Sequence, residues 1–251
     1  PVELKAGRDL ESEMLQDFGT YRVLTLEQAA QYENAQWISN RWEDGRKDSG
    51  ELRCRWVLRD YATTPGEGKF FAATPSKAAV EIFHQRAVDK DYDIDYFDLS
   101  RAFLHAPEME EILTSPAPGY GDPSKECWML LRKVNGRRDG SHDFVEWLAG
   151  VCTSELEMTR NALEPSMFTK GSVTMLVHID DGGIAGKREE KDMILEGLRK
   201  HVLLKITGSL EAAARWPPVW VPFLGKERAR ADGNLMVRPK SKFVTEAAEL
   251  L

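Results

Sequence analysis

An α+β fold is predicted for this chain by three features of its sequence. Strand-like and helix-like stretches alternate without the regular spacing of βαβ units. Residues 173–185 (VTMLVHIDDGGIA) read as an apolar strand, a polar turn and a second short strand, a β-hairpin with two aspartates at its tip and two glycines behind them. The 251 residues sit at the upper edge of what one hydrophobic core holds, which suits one large domain or two lobes sharing a cleft.

In chain order, Thr25 and Gln28 form a capping box ahead of Ala29, Ala30 and Tyr32, so a helix starts there. Residues 43–50 (EDGRKDSG) are turn formers and read as a hairpin tip or flexible loop. They lead into LRCRWVLR at 52–59, where Arg53, Arg55 and Arg59 are two or four apart, so a strand would aim all three at one face. Ser76 caps a helix to Val88, with Ala79, Val80, Phe83 and Ala87 at helical spacing. A short strand follows, carrying Ile94, Tyr96 and Asp98 on one face, and it runs into a tight turn at Leu99 to Arg101. Pro116, Pro118, Gly119 and Gly121 mark a loop before the buried strand CWMLL at 127–131. From Ser141 a long helix carries the core stripe Phe144, Trp147, Leu148, Val151 and Cys152. After the hairpin, a charged helix (REEKDMILEGLRKHVLL) buries Ile194, Leu195, Leu198 and Leu203. Short strands around Phe223 and Leu235 and a helix capped by Ser241 close the chain.

Composition narrows the function classes. With 34 Lys+Arg against 41 Asp+Glu the net charge is −7, and 42% of residues are hydrophobic, the profile of a soluble globular protein. An acidic balance argues against a nucleic-acid partner until its distribution is seen. Residues 51–186 carry 15 basic and 22 acidic groups, whereas residues 187–251 carry 13 and 9. The acidic middle is a solvated surface or a cation site. Cys54, Cys127 and Cys152 are too few and too scattered for a disulfide scaffold or a zinc site. His84, His105, His142 and His201 have no second histidine or cysteine at a metal-ligand spacing. No apolar run reaches a membrane span, so no membrane partner is expected. The chain starts at Pro1 with no signal-like segment, and reads as a piece of a longer protein.

The carboxylates carry the chemistry. Asp180-Asp181 ends an apolar strand, and two carboxylates about 4 Å apart repel by about 4 kcal/mol at an effective dielectric of 20. Such a pair calls for a proton or a cation. Asp98 closes a second apolar strand; in one antiparallel sheet it would stand beside the pair and complete a hard-oxygen site suited to magnesium. The bland alternatives are a turn with exposed acids, and an Asp98 that caps the helix after it.

At this point the residues carry a resemblance. FDLSRAFLHA, PSMF, LVHIDDGGIAG and FLGKERARADGNLMVRPKSKFVTEAAELL, together with RCRWVLRDY at 53–61, resemble in order and spacing the reverse transcriptase of copia-type LTR retrotransposons, over about Ala35 to Leu251. The resemblance implies a right-hand polymerase: fingers and an antiparallel palm sheet with helices on one face in residues 35–251, the start of thumb or connection at the C-terminal end, and residues 1–34 as an extension or linker. It implies that Asp98, Asp180 and Asp181, with the Leu99 carbonyl, hold two Mg²⁺ ions, with Mn²⁺ as an alternative. Arg53, Arg55 and Arg59 would contact the triphosphate, and Phe103 would exclude a ribose 2′-hydroxyl. Its implied partners are an RNA or DNA template with primer, dNTP, and RNase H and integrase regions of the same polyprotein. The implied location is intracellular, in a cytoplasmic virus-like particle or the nucleus.

Three departures stand out. His178 replaces the family's usual tyrosine, residues 134–144 match the template-positioning segment only at Gly136 and Arg138, and extra sequence with Trp216-Pro217-Pro218 lies between Gly208 and Phe223. They motivate a second reading, a non-catalytic nucleic-acid-binding remnant of the same fold. An acid/base hydrolase built on Asp98 with Asp180 or Asp181 is a third, and leaves the arginines and Phe103 without roles.

Overall fold

The computed structural model describes residues 2–47, 50–60 and 70–240. In chain order the elements are α1 (Val2–Asp17), β1 (Tyr21–Thr25), α2 (Leu26–Ala29), β2 (Gln36–Trp37), β3 (Asn40–Arg46), β4 (Leu52–Leu58), α3 (Lys77–Asp89), β5 (Asp93–Ser100), α4 (Ala102–His105), β6 (Ile112–Thr114), β7 (Glu126–Leu130) and α5 (Gly140–Gly150). A π-helical turn (Val151–Glu155) then leads to β8 (Thr159–Arg160), β9 (Met167–Lys170), β10 (Val173–His178), β11 (Asp181–Gly186), α6 (Arg188–Arg199), β12 (Leu203–Leu210), β13 (Val221–Phe223), β14 (Lys226–Ala231) and β15 (Asn234–Pro239). The chain forms two compact units, residues 1–72 with 103–144, and residues 73–102 with 145–251. Mixed helices and largely antiparallel sheets bear out the α+β class.

The first unit holds a four-stranded sheet, β1-β7-β6-β2, and the hairpin β3-β4. Its core gathers Leu15, Trp56, Leu58, Ile112, Trp128 and Val134. Residues 2–34, expected as an extension or linker, carry α1, β1 and α2, and Leu15 and Leu24 are buried. The capping box forms as read, with Thr25 Oγ1 accepting from the Gln28 amide. Gly136 has φ +88°, and a Cβ there would run into the Leu58 carbonyl, so glycine is required where this segment crosses the end of β4.

A buried ion network ties the same segment down. Lys133, 1% exposed, donates to Glu108, Asp139 and Asp143 at 2.8, 2.9 and 2.6 Å. Arg137 reaches Asp60 at 3.2 Å, Glu110 at 2.8 Å and Asp139 at 2.7 Å. Burial pushes the Glu108 carboxyl upward while Lys133 and Arg137 pull it back.

The second unit is built on a six-stranded antiparallel sheet ordered β12-β5-β11-β10-β9-β8. Ser76 caps α3 through the Ala79 amide, and α3 lays Ala79, Phe83 and Ala87 on Ile94, Tyr96, Leu176 and Ala185. Alternation along β5 puts Asp95 on the other face, where Lys191 of α6 pairs with it at 2.6 Å. Helices therefore cover both faces, not one as expected. The reason is in β10, whose Val173 to Val177 are all buried, a continuous apolar run that needs cover on both sides.

Some elements differ from the sequence reading. The helix after the hairpin stops at Arg199; Leu203 opens β12 opposite Ser100 and is half exposed instead of lying on a buried helical face. Between the two expected closing strands lies β14, whose Arg228 and Arg230 are buried. Arg228 donates to the Phe223 carbonyl, and Arg230 to the Tyr92 carbonyl and Asp91. The helix expected from Ser241 lies outside the described residues. All three cysteines are buried free thiols. Among the described residues no helix is long and apolar enough to cross a membrane.

Candidate active site

The hairpin predicted from VTMLVHIDDGGIA is present as β10-β11, closed by Ile179 and Asp180. Ile179 sits at φ +55°, a left-handed conformation that a β-branched side chain adopts only under strain of about 1–3 kcal/mol. Behind the tip, Gly182 and Gly183 face Phe97 and Tyr96 of β5; an added Cβ at Gly182 would enter the Phe97 ring. Their lack of side chains lets β11 lie against β5 with those rings packed over it.

That register brings the acids together. Asp181 is directly opposite Asp98 across β11 and β5, and the Leu99 amide donates to the Asp180 carbonyl at 2.6 Å. Cross-strand partners share a face with Cβ atoms about 4.5–5.5 Å apart. The row extends on both sides: His178 is opposite Asp181, and Lys205 of β12 is opposite Asp98. Four neighbouring strands thus present His178, Asp181, Asp98 and Lys205 in line. Ser100 donates to Asp98 at 2.9 Å and orients its carboxylate.

Electrostatics single out Asp181. Burial, then Asp180, then Asp98 push its carboxyl above the usual carboxylate range, with His178 and Lys240 opposing. Burial and the two neighbouring carboxylates together outweigh the two cations at Asp181. Asp98 and Asp181, cross-strand neighbours, with Asp180 beside them, offer oxygen donors of the type a hard divalent cation takes. Among the described residues, the one trio of potential ligand atoms all within 4.8 Å of one another is instead Glu108, Glu110 and Asp139, which Lys133 and Arg137 already neutralise.

The remaining candidates lie in the first unit. Arg53 and Arg55 point to one side of β4, but Val57, which shares that side, is buried, and Arg59 follows the end of the strand with its amide donating to Ser39. The expected row of three is therefore two strand residues and a third beyond the strand. Phe103 lies on α4, edge-on to Phe144 with ring centroids 6.3 Å apart. Arg138, at a position that fits the template-positioning segment, lies 4.1 Å over the Phe70 ring. Lys205 escaped sequence reading because its relevance depends on the β12-β5 register alone.

No model of a protein family matches the chain. The Retrovirus-related Pol polyprotein from transposon TNT 1-94 of Nicotiana tabacum is 19% identical over 217 residues, covering 83% of this chain and 15% of that protein. Among solved structures, telomerase from Candida albicans in complex with a TWJ fragment of telomeric RNA superposes with a TM-score of 0.54 at 10% identity, covering 93% of this chain and 49% of that one. The foamy viral protease-reverse transcriptase in complex with dsDNA gives 0.51 at 13% identity, covering 98% and 44%. The chain spans less than half of each of these proteins. The resemblance to a retroelement reverse transcriptase read from the motifs is borne out, and the fold is of that kind.

Proposed function

We propose that this chain is the RNA-directed DNA polymerase domain of a copia-like retrotransposon polyprotein, with fingers in the first unit and palm in the second. The observation that carries the reading is the register that sets Asp98 against Asp181 while the Leu99 amide holds Asp180 at the same strand end. Likeness in fold to proteins solved with telomeric RNA and with dsDNA supports a nucleic-acid substrate.

In this reading Asp98, Asp180 and Asp181, with the Leu99 carbonyl, hold two Mg²⁺ ions, which when bound supply Lewis-acid stabilisation of the charge on the reacting phosphate. Ser100 keeps Asp98 aimed at the site. Arg53, Arg55 and Arg59 grip the triphosphate of an incoming dNTP, for which a guanidinium fork is well shaped. Phe103, braced by Phe144, presents its ring to the sugar and rejects a 2′-hydroxyl. Primer extension on an RNA template tests the proposal. Wild type should incorporate dNTP at a rate that Asp180→Asn or Asp181→Asn lowers by at least about a hundredfold, as expected when a charge stabiliser of the transition state is lost. Equal, background-level incorporation by all three, with template-primer still bound in a salt-sensitive way, would establish the non-catalytic remnant instead.

A further inference from the structure

His178 has no task in the reading above, yet its surroundings are unusual. It is the last residue of β10, directly opposite Asp181 and on the same face as Asp98. Its Nδ1 is buried and has no hydrogen-bond partner. A buried ring nitrogen left unpaired costs about 1–3 kcal/mol. Across the hairpin from His178 stands Asp181, with Asp98 beyond it on the next strand.

We propose that His178 Nδ1 is a ligand to a divalent cation held by Asp181, so that this site binds Mn²⁺ in preference to Mg²⁺. The inference rests on the metal-site reading of the carboxylates and adds to it a nitrogen donor where a tyrosine hydroxyl is the usual occupant in the family it resembles. The reach is adequate. Cross-strand Cβ atoms about 4.5–5.5 Å apart leave room for one cation bonded to a carboxylate oxygen and an imidazole nitrogen at about 2.0–2.2 Å each. The preference rests on Mg²⁺, which demands a near-ideal octahedral oxygen shell and dehydrates reluctantly; first-row divalent ions accept a nitrogen donor more readily, and Mn²⁺, the weakest binder and most oxygen-loving of them, is the one that also suits the carboxylates. A cation there would also satisfy the orphaned nitrogen and part of the Asp181 charge at once.

The test is electron paramagnetic resonance of Mn²⁺ alone added to the 251-residue chain. Pulsed measurements should show ¹⁴N modulation from a directly bound imidazole, converted to ¹⁵N by labelling histidine and absent in both His178→Gln and His178→Tyr. In those variants the Mn²⁺ dissociation constant should rise about tenfold or more, since even an outer-shell partner is worth about 10–100-fold in metal affinity, with Mg²⁺ affinity nearly unchanged. Thermal melts confirm that the variants fold, and the wild-type nitrogen signal is decisive without them. Mn²⁺ bound in an Asp181-dependent way with no nitrogen coupling would overturn the role of His178 and leave the carboxylate site standing. Mn²⁺ binding that Asp98→Asn and Asp181→Asn leave unchanged would overturn both.

Discussion

Replacing Asp181 by asparagine should stabilise the metal-free protein even as it removes the proposed activity. Asn has nearly the same volume and no charge, so the change isolates the repulsion among Asp98, Asp180 and Asp181. Two unit charges about 5 Å apart repel by about 3 kcal/mol at an effective dielectric of 20 and about 0.8 kcal/mol in water. Asp181 keeps a solvent-accessible side at the strand end even though surrounding atoms crowd its carboxyl, so screening by water brings the figure toward the lower end and about 1 kcal/mol is expected. For a chain of this size that is a rise of about 2–4 °C in Tm. The sign with pH follows from the raised carboxyl. A folded-state pKa above the unfolded one means that the associated stability is present below the unfolded value and lost as pH rises through the folded value. The advantage of the variant over wild type should therefore be largest at neutral pH and vanish in acid. Thermal melts in EDTA at several pH values measure it, and added Mg²⁺ should narrow the gap by stabilising wild type alone. If the variant melts at or below the wild-type temperature in EDTA, then Lys205, His178 and Lys240 already balance the acids, and the need for a cation disappears.

Three further outcomes follow from the packing. Lys133→Met should cost about 3–5 kcal/mol in urea unfolding, because it strands Glu108 in the interior; adding Glu108→Gln should recover a good part, and a single-variant loss under 1 kcal/mol would show that Arg137 alone suffices. His84, held near the centre of the second unit by the Tyr96 hydroxyl and the Val80 carbonyl, is pushed down to about 4 by burial. Its neutral form contributes stability above the unfolded value of about 6.5, and up to about 3 kcal/mol is lost as pH falls toward 4; His84→Gln should flatten that part of an acid-unfolding curve, and an unchanged slope would count against it. Gly136→Ala should destabilise by about 3 kcal/mol or more through its positive φ and the Leu58 carbonyl, read as loss of soluble protein or a lowered midpoint, whereas Gly45→Ala, with open space around it, should be nearly neutral.

Local rules explain which elements were legible. Thr25 with Gln28, and Ser76, announced helix starts because capping is a contact within three residues. The apolar run into Asp180-Asp181 announced a hairpin for the same local reason. Helix α1 went unread because its apolar residues form only a weak stripe, and it is held by packing on β4 through residues such as Leu15. Strand β14, written KERARA, was hidden by its arginines. Polar side chains in a core become intelligible only when their distant partners, here the carbonyls of Phe223 and Tyr92 and the carboxylate of Asp91, are seen.

By itself the sequence determined the class of fold, the three acids and their order along the chain, since each depends on residue type and short-range periodicity. Only the tertiary structure decided that Asp98 meets Asp181 in register, that His178 and Lys205 flank them, and that Lys133 is ringed by carboxylates. Register across a sheet is a long-range choice. A slip of one residue would turn Asp98 to the opposite face, and the packing of Phe97 and Tyr96 over Gly182 and Gly183 opposes that slip.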